Sequence, residues 1–366
     1  MSKKFLIVGS GFYGATCARE LTDAGHHCTV IDKRNHRGGN CFTRYIEEAN
    51  CHEHHYGAHI FHTSSEKIWK YINRFASFNH YVNRVKVSHK SNIYSFPINL
   101  FTLYQLFGVR TPKEAISTLE EKKEPIANPR NMEDWCLANV GREIYETFIE
   151  GYSTKQWARH PRELPASIIK RVPIRLNFDD NYFNDRYQGI PIGGYTSIFD
   201  KMLEDIPVEL EVDFLKHRDD LMAKHDHVIF TGPIDSFFNY SLGNLEYRSL
   251  KFEHQLLDLP DFQGNAVINH TEAEVPFTRT YEHKHFDMNY SANKTSVTFE
   301  YPEKWEPGKI EIYPVNTEEN QSLFLQYQEL AKEVPEVTFG GRLGQYRYYD
   351  MHQVIAAALS KVGLLV

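Results

Sequence analysis

Long apolar runs are missing from this chain. Across its 366 residues, none approaches the roughly 18 consecutive apolar residues that a helix needs to cross a bilayer. The mean hydropathy is −0.51, so a helical membrane protein is excluded. No secretory leader is expected: the opening MSKKFLIVGSGFYG runs from a short apolar stretch straight into glycines. Cysteine is scarce. The five (Cys17, Cys28, Cys41, Cys51 and Cys136) are odd in number and form no C-x-x-C pair, so free thiols in a reducing cytoplasm are expected. Positive charge is in deficit, with 41 Lys and Arg against 48 Asp and Glu and a formal net charge of −7. Nucleic acid therefore has no general attraction to the chain, and an anionic ligand must be held by a local arginine cluster. The chain has no internal repeat and no low-complexity tract.

Aromatic residues, by contrast, are plentiful: 24 Phe, 22 Tyr and 4 Trp. Hydrophobic residues make up 41 % of the chain. That is too apolar for disorder, and enough for one large core or two or three smaller ones. Residues 5–9 (FLIVG) read as a strand, residues 11–24 as a helix closed by Gly25, and residues 28–32 (CTVID) as a second strand. This β-α-β order opens a parallel, doubly wound sheet. Further strands are expected at 227–233 and 337–343, and a C-terminal helix at 350–362 with Asp350 as cap. Between these pieces, residues 99–160 have a helical pattern. Residues 245–315 alternate aromatic and charged residues, as in an antiparallel sheet with one wet face. The Pro- and Gly-rich stretch 172–195 reads as a long loop, which in a compact domain is often functional.

Gly9-x-Gly11-x-x-Gly14 sits where the first strand meets the first helix, and Asp32 ends the next strand. The glycines allow a tight turn, close approach to a pyrophosphate and helix–strand packing. The acid can accept from a ribose hydroxyl. Arg34 and the Gly38-Gly39-Asn40 run follow directly, bringing more backbone close to the cofactor. A C-terminal return, Gly340-Gly341-Arg342 and then Tyr349-Asp350-Met351, adds an acid at a helix start. That acid can meet a ribityl hydroxyl or merely cap the helix. A nicotinamide enzyme needs no such return, so FAD is the expected cofactor.

The blocks YGAHIFHT (56–63), FPIN (96–99), GYSTKQW (151–157), KRVPIR (170–175), QGIPIGGY (188–195), EYRSLKFE (246–253), FQGNAVIN (262–269) and EHKHF (282–286) resemble bacterial UDP-galactopyranose mutases over essentially the whole chain. Ser153, Thr154 and Ala158 depart from that pattern; Ala158 stands where Gly is frequent. The resemblance implies a non-redox isomerase that interconverts UDP-galactopyranose and UDP-galactofuranose. In this family N5 of reduced FAD attacks the anomeric carbon, and galactofuranose is supplied for cell-surface polysaccharide. It also implies a cytoplasmic homodimer, joined through the helical insertion.

The expected architecture is α/β. A Rossmann-like FAD-binding domain is assembled from the discontinuous segments 1–83, 190–245 and 325–366. It carries a helical insertion at 98–165 and an antiparallel β-sheet substrate domain at 84–97, 166–189 and 246–324, with a mobile loop near 166–180. By the same resemblance Gly9, Gly11, Phe12, Gly14, Asp32, Lys33, Arg34, Gly38, Gly39, Asn40, His59, Arg342, Tyr349, Asp350 and Met351 contact FAD. Tyr152 stacks on uracil, with Trp157 and Thr154 in the same block. Arg171 on the mobile loop and Arg279 opposite hold the diphosphate. Tyr182, Tyr313 and Tyr348 donate to the phosphates, and Asn83, Phe183 and Asn269 line the site. Arg171, Arg279, His59 and His62 are the expected catalytic group, the two histidines contacting flavin or sugar rather than acting as bases. From the residues alone, Tyr152 and Trp157 also fit a helical core, and Arg279 also fits a strand ion pair with Glu282 or Glu300. His52-Glu53-His54-His55 looks like a metal cluster, but strand alternation splits it, and no metal is expected. Two other functions share such a fold: an amine-oxidase-like flavin oxidoreductase and a non-catalytic nucleotide-sugar binder.

Overall fold

The computed structural model describes residues 2–169, 174–306 and 308–366. A five-stranded, all-parallel sheet forms one body. Its order is Val337–Phe339, His227–Phe230, Lys4–Val8, His27–Asp32 and Val208–Leu210. The central strands are apolar on both faces because both faces are covered. Phe5, Ile7, Val30 and Ile229 pack under the Phe12–Asp23, Thr196–Met202 and Met351–Val362 helices. Leu6, Ile31, Val228 and Phe230 face the other way, onto Phe214 and Phe237.

A seven-stranded sheet forms the second body, in the order Tyr313–Pro314, Tyr247–Leu257, Thr295–Lys304, Arg279–Glu282, Val267–His270, Lys86–His89 and Asn92–Ser95. Five of its pairings are antiparallel. The sixth, Val267–His270 with Lys86–His89, is parallel, because the two strands come from distant parts of the chain.

Helices from Leu100–Phe107 through Gly151–Trp157 enclose a third core around Leu103, Met132, Ile144 and Phe148. Asn99, Thr111 and Asn131 cap the first three of them through side-chain oxygens. Among the described residues no helix is long and apolar enough to cross a membrane. All five cysteines are buried and unpaired.

Local differences from the sequence reading have physical reasons. The strand expected at 337–343 stops at Phe339, because Gly340-Gly341 turns the chain into a short helix. The long loop at 172–195 contains the strand Tyr187–Gly189, paired with Phe61–Thr63. The edge strand Val208–Leu210 is too short to show a period.

Candidate functional site

The first strand ends at a turn in which Gly9 has φ +102°, a left-handed region open to glycine. A Cβ on Gly14 would lie 1.9 Å from the Gly9 carbonyl oxygen, so the helix packs backbone to backbone against the turn. At the end of the next strand, Asp32 is buried. Its Oδ2 accepts from the Ser10 N–H (2.9 Å) and hydroxyl (2.7 Å), and its Oδ1 from the Arg34 N–H (3.0 Å). A cleft of about 390 Å³ opens above these groups. Every residue expected at the cofactor lines it except Asp350. The Asp350 carboxylate instead lies with His62 and His352, their donor atoms within 4.8 Å of one another. Thr231, Gly232 and Pro233, which follow a parallel strand, also line the cleft; sequence reading found that strand but not its role here. Tyr13 Oη and Arg34 Nη1 are buried there without a hydrogen-bond partner. A glycine cradle, a buried acid at the end of the next strand and unpaired donors fit a dinucleotide cofactor.

His59 also lines this cleft. Its Nδ1 lies 2.8 Å from the Gly57 carbonyl oxygen, and its backbone N–H donates to His54 Nδ1 (3.1 Å). Burial pushes its pKa down to about 4, with Arg342 and Arg279 pushing the same way, so it is neutral at pH 7. His62 is organised differently. Its Nδ1 lies 2.6 Å from Asp185 Oδ2, and its ring stacks on Phe183 at 3.7 Å and 11°.

The second wall is built from side chains on separated strands, a helix and loops. Arg279 Nε donates to Glu300 Oε1 (2.8 Å), which also accepts from Thr278 Oγ1 (3.0 Å); the Tyr281 hydroxyl donates to Oε2. Sequence reading saw Glu300 only as an optional partner of Arg279. The structure makes it the hub that holds Arg279 in place, directly across the strand pair. Tyr152 shares the electrostatic environment of Arg279, Glu300, Tyr182 and Tyr313, and burial raises its phenol pKa. Tyr313 and Tyr348 stack at 5.6 Å, with the Arg342 guanidinium 5.8 and 5.2 Å from their rings. Because Arg342 also lines the dinucleotide cleft, the two walls adjoin.

The remaining expected residues are placed as follows. The Asn83 carbonyl accepts from the Tyr182 N–H (2.8 Å), orienting the segment that carries Tyr182 and Phe183. Asn269 lies opposite Arg279 in register, and its Oδ1 is buried without a partner. The Thr154 hydroxyl donates back to the Glu150 carbonyl (2.7 Å). Trp157 packs against the helical core, and Ala158 after it takes a left-handed φ of +52°, the conformation glycine adopts most readily. Arg171 lies outside the described residues.

Strand alternation does not split the His52–His55 run completely: Glu53 and His55 meet His254, with donor atoms of all three within 4.8 Å of one another. Glu53 Oε1 lies 3.7 Å from His55 Nδ1 and 3.4 Å from His254 Nδ1, and it accepts from Arg44 Nε (2.7 Å). These donors outweigh burial and draw the Glu53 pKa down to about 2.

A parallel sheet with a glycine turn, adjoining a second sheet that presents arginine and phenols, defines an enzyme with a dinucleotide cofactor and a separate site for an anionic substrate. Comparisons with known proteins narrow the class. The profile of the UDP-galactopyranose mutase family matches residues 147–348, and that of the NAD(P)-binding Rossmann-like domain matches residues 7–75. A probable UDP-galactopyranose mutase of Klebsiella pneumoniae is 41 % identical, over 98 % of this chain and 93 % of the relative. A dTDP-fucopyranose mutase of Escherichia coli is 39 % identical, over 99 % and 98 %. A crystal structure of reduced UDP-galactopyranose mutase superposes with a TM-score of 0.76 at 15 % identity, covering 100 % of this chain and 94 % of that one; at that identity it speaks for the fold. The chain belongs to the UDP-galactopyranose mutase family.

Proposed function

We propose that the protein interconverts UDP-galactopyranose and UDP-galactofuranose without net redox change, using reduced FAD, and so supplies galactofuranose for cell-surface polysaccharide. The observation that carries this reading is Arg279, held by buried Glu300 and sharing its electrostatic surroundings with Tyr152 and Tyr313, with Arg342 linking Tyr313 to the glycine cradle. Such a wall suits a nucleoside diphosphate, with an aromatic face for the base and a guanidinium and phenols for the phosphates. It is an odd environment for an amine substrate.

When bound, reduced flavin supplies the nucleophile for the anomeric carbon. The chain's own residues then bind, orient and shield. Gly9, Gly11 and Gly14 admit the pyrophosphate to the helix N-terminus, while Asp32 takes the ribose. Tyr152 stacks on the base. Arg279, oriented by Glu300, holds the diphosphate, with Arg171 assigned to the same group by family resemblance. His59, neutral at pH 7, offers a hydrogen bond at the meeting of the walls and adds no positive charge to the cofactor.

The test is conversion of UDP-galactofuranose to UDP-galactopyranose by purified protein, followed by chromatography with and without dithionite. Conversion that requires the reductant, with no oxidised sugar, is the expected result. Yellow protein that oxidises the sugar instead favours the oxidoreductase alternative. The Escherichia coli relative supports a second reading, with dTDP-fucopyranose as substrate. The same assay run on both nucleotide sugars decides between them by kcat/KM. Homodimer formation through the helical insertion is supported by exposed Phe101, Tyr104 and Ile116, with exposed Phe178 of the neighbouring segment packed against Phe101. Sedimentation equilibrium at twice the monomer mass is the expected outcome, and it should be lost in Phe101→Glu.

A further inference from the structure

We propose that Lys155 is a positioning residue that fixes the two halves of the substrate wall relative to each other. This inference rests on the nucleotide-sugar reading above. Lys155 lies on the Gly151–Trp157 helix, which also carries Tyr152. Its ammonium donates to three backbone carbonyls: His270 (2.9 Å), Val275 (2.9 Å) and Phe277 (3.0 Å). An ammonium has three N–H groups and no acceptor, so this set satisfies it completely. One carbonyl ends the strand Val267–His270 and the other two lie in its connection to Arg279–Glu282, so all three belong to the segment joining Asn269 to Arg279.

A second, independent contact joins the same two pieces. A Cβ on Gly151 would lie 2.0 Å from the Thr271 carbonyl oxygen, so the helix backbone rests directly on that segment one turn from Lys155. The helix is entered through a π-helical turn at Tyr145–Glu150, a wide turn found mostly at functional sites. The Lys155 side chain is half-buried, and burial pushes its pKa down to about 8, which leaves it charged at pH 7. A buried ammonium is a costly way to pack a helix, whereas charge-assisted bonds to carbonyls are short and directional. They set the distance between Tyr152, which meets the base, and Arg279, which meets the diphosphate. A ligand that must touch both is sensitive to shifts of about 1 Å, which are able to cost about a hundredfold in rate.

The experiment compares wild-type holoenzyme with Lys155→Met and Lys155→Gln. Flavin content and absorbance spectrum report the dinucleotide side. UDP binding by titration, together with KM and kcat for the nucleotide sugar, reports the substrate side. For Lys155→Met the expected result is unchanged flavin content, with the UDP Kd and KM both raised about tenfold or more and kcat changed much less. Lys155→Gln, which keeps two donors, falls between. A role in stability alone would lower Tm and flavin content without this split between KM and kcat. If Lys155→Met does not fold, Lys155→Gln decides by the same criterion. A folded variant whose UDP Kd and KM stay within about twofold of wild type overturns the role of Lys155 and leaves the nucleotide-sugar reading intact. Wild-type holoenzyme that binds no UDP overturns both.

Discussion

On the dinucleotide side of the cleft the contacts are largely backbone: the Gly9 turn, the close approach of Gly14, and the glycines at 38 and 39. On the side assigned to the nucleotide sugar they are side chains drawn from a helix, a loop and two strands: Tyr152, Tyr182, Arg279 and Tyr313, with Arg279 held by one buried carboxylate. A backbone cradle holds its shape at any pH and is broken by a single methyl group. A side-chain wall tolerates methyl groups but depends on buried charges staying as they are. The two walls should therefore fail under different insults.

Acid is the insult with the largest expected effect. In the folded protein burial pushes His254 and His270 down to about 4 and His283 to about 3, all from 6.5; all three lie on or beside the second sheet. The unfolded chain takes up protons at these groups below pH 6.5, while the folded chain does so only near pH 4 or below. Their contribution is thus complete above pH 6.5 and is lost as pH falls towards 4. By pH 5 each imidazole removes roughly 2 kcal/mol. Urea unfolding at pH 7 and pH 5 should show a steep loss of midpoint, with probes in the second sheet responding first. An unchanged midpoint would break the contrast.

Gly14→Ala comes next. The new Cβ has no room against the Gly9 carbonyl, and about 3 kcal/mol of destabilisation is expected, with flavin lost on purification. Thermal melting and the flavin absorbance band check this. Glu300→Gln removes the hub carboxylate and should cost about 2 kcal/mol. Flavin should be retained while KM for the nucleotide sugar rises, which steady-state kinetics will show. Ala158→Gly is the smallest. It relieves a left-handed alanine at the price of a more flexible unfolded chain, so a gain of at most about 1 kcal/mol is expected from Tm.

The same contrast explains what the sequence made legible. The dinucleotide wall could be read directly because its parts lie close together in the chain: a strand, three spaced glycines, a helix and Asp32. Asp350 was harder. A cap acid and a cofactor acid look alike in sequence, and its carboxylate sits with His62 and His352. The sugar wall was reachable only through family resemblance, because Tyr152, Arg279 and Tyr313 meet through sheet register and helix docking, which no local pattern encodes. Alternation did bring Glu300 forward as a partner for Arg279, yet nothing in it showed Tyr281 and Thr278 converging on the same carboxylate. His55, just past the strand Cys51–His54, stacks on His254 of the second sheet by a contact no local pattern encodes, and Lys155 gave no sequence signal at all.

The most direct measurement is UDP titration of Arg279→Ala holoenzyme beside wild type, with flavin content measured on the same samples. The account predicts full flavin occupancy and UDP affinity reduced about a hundredfold, the scale of losing a charge-assisted phosphate contact. Loss of flavin together with UDP, or wild-type affinity for UDP in the variant, would contradict a cleft whose two walls do separate work.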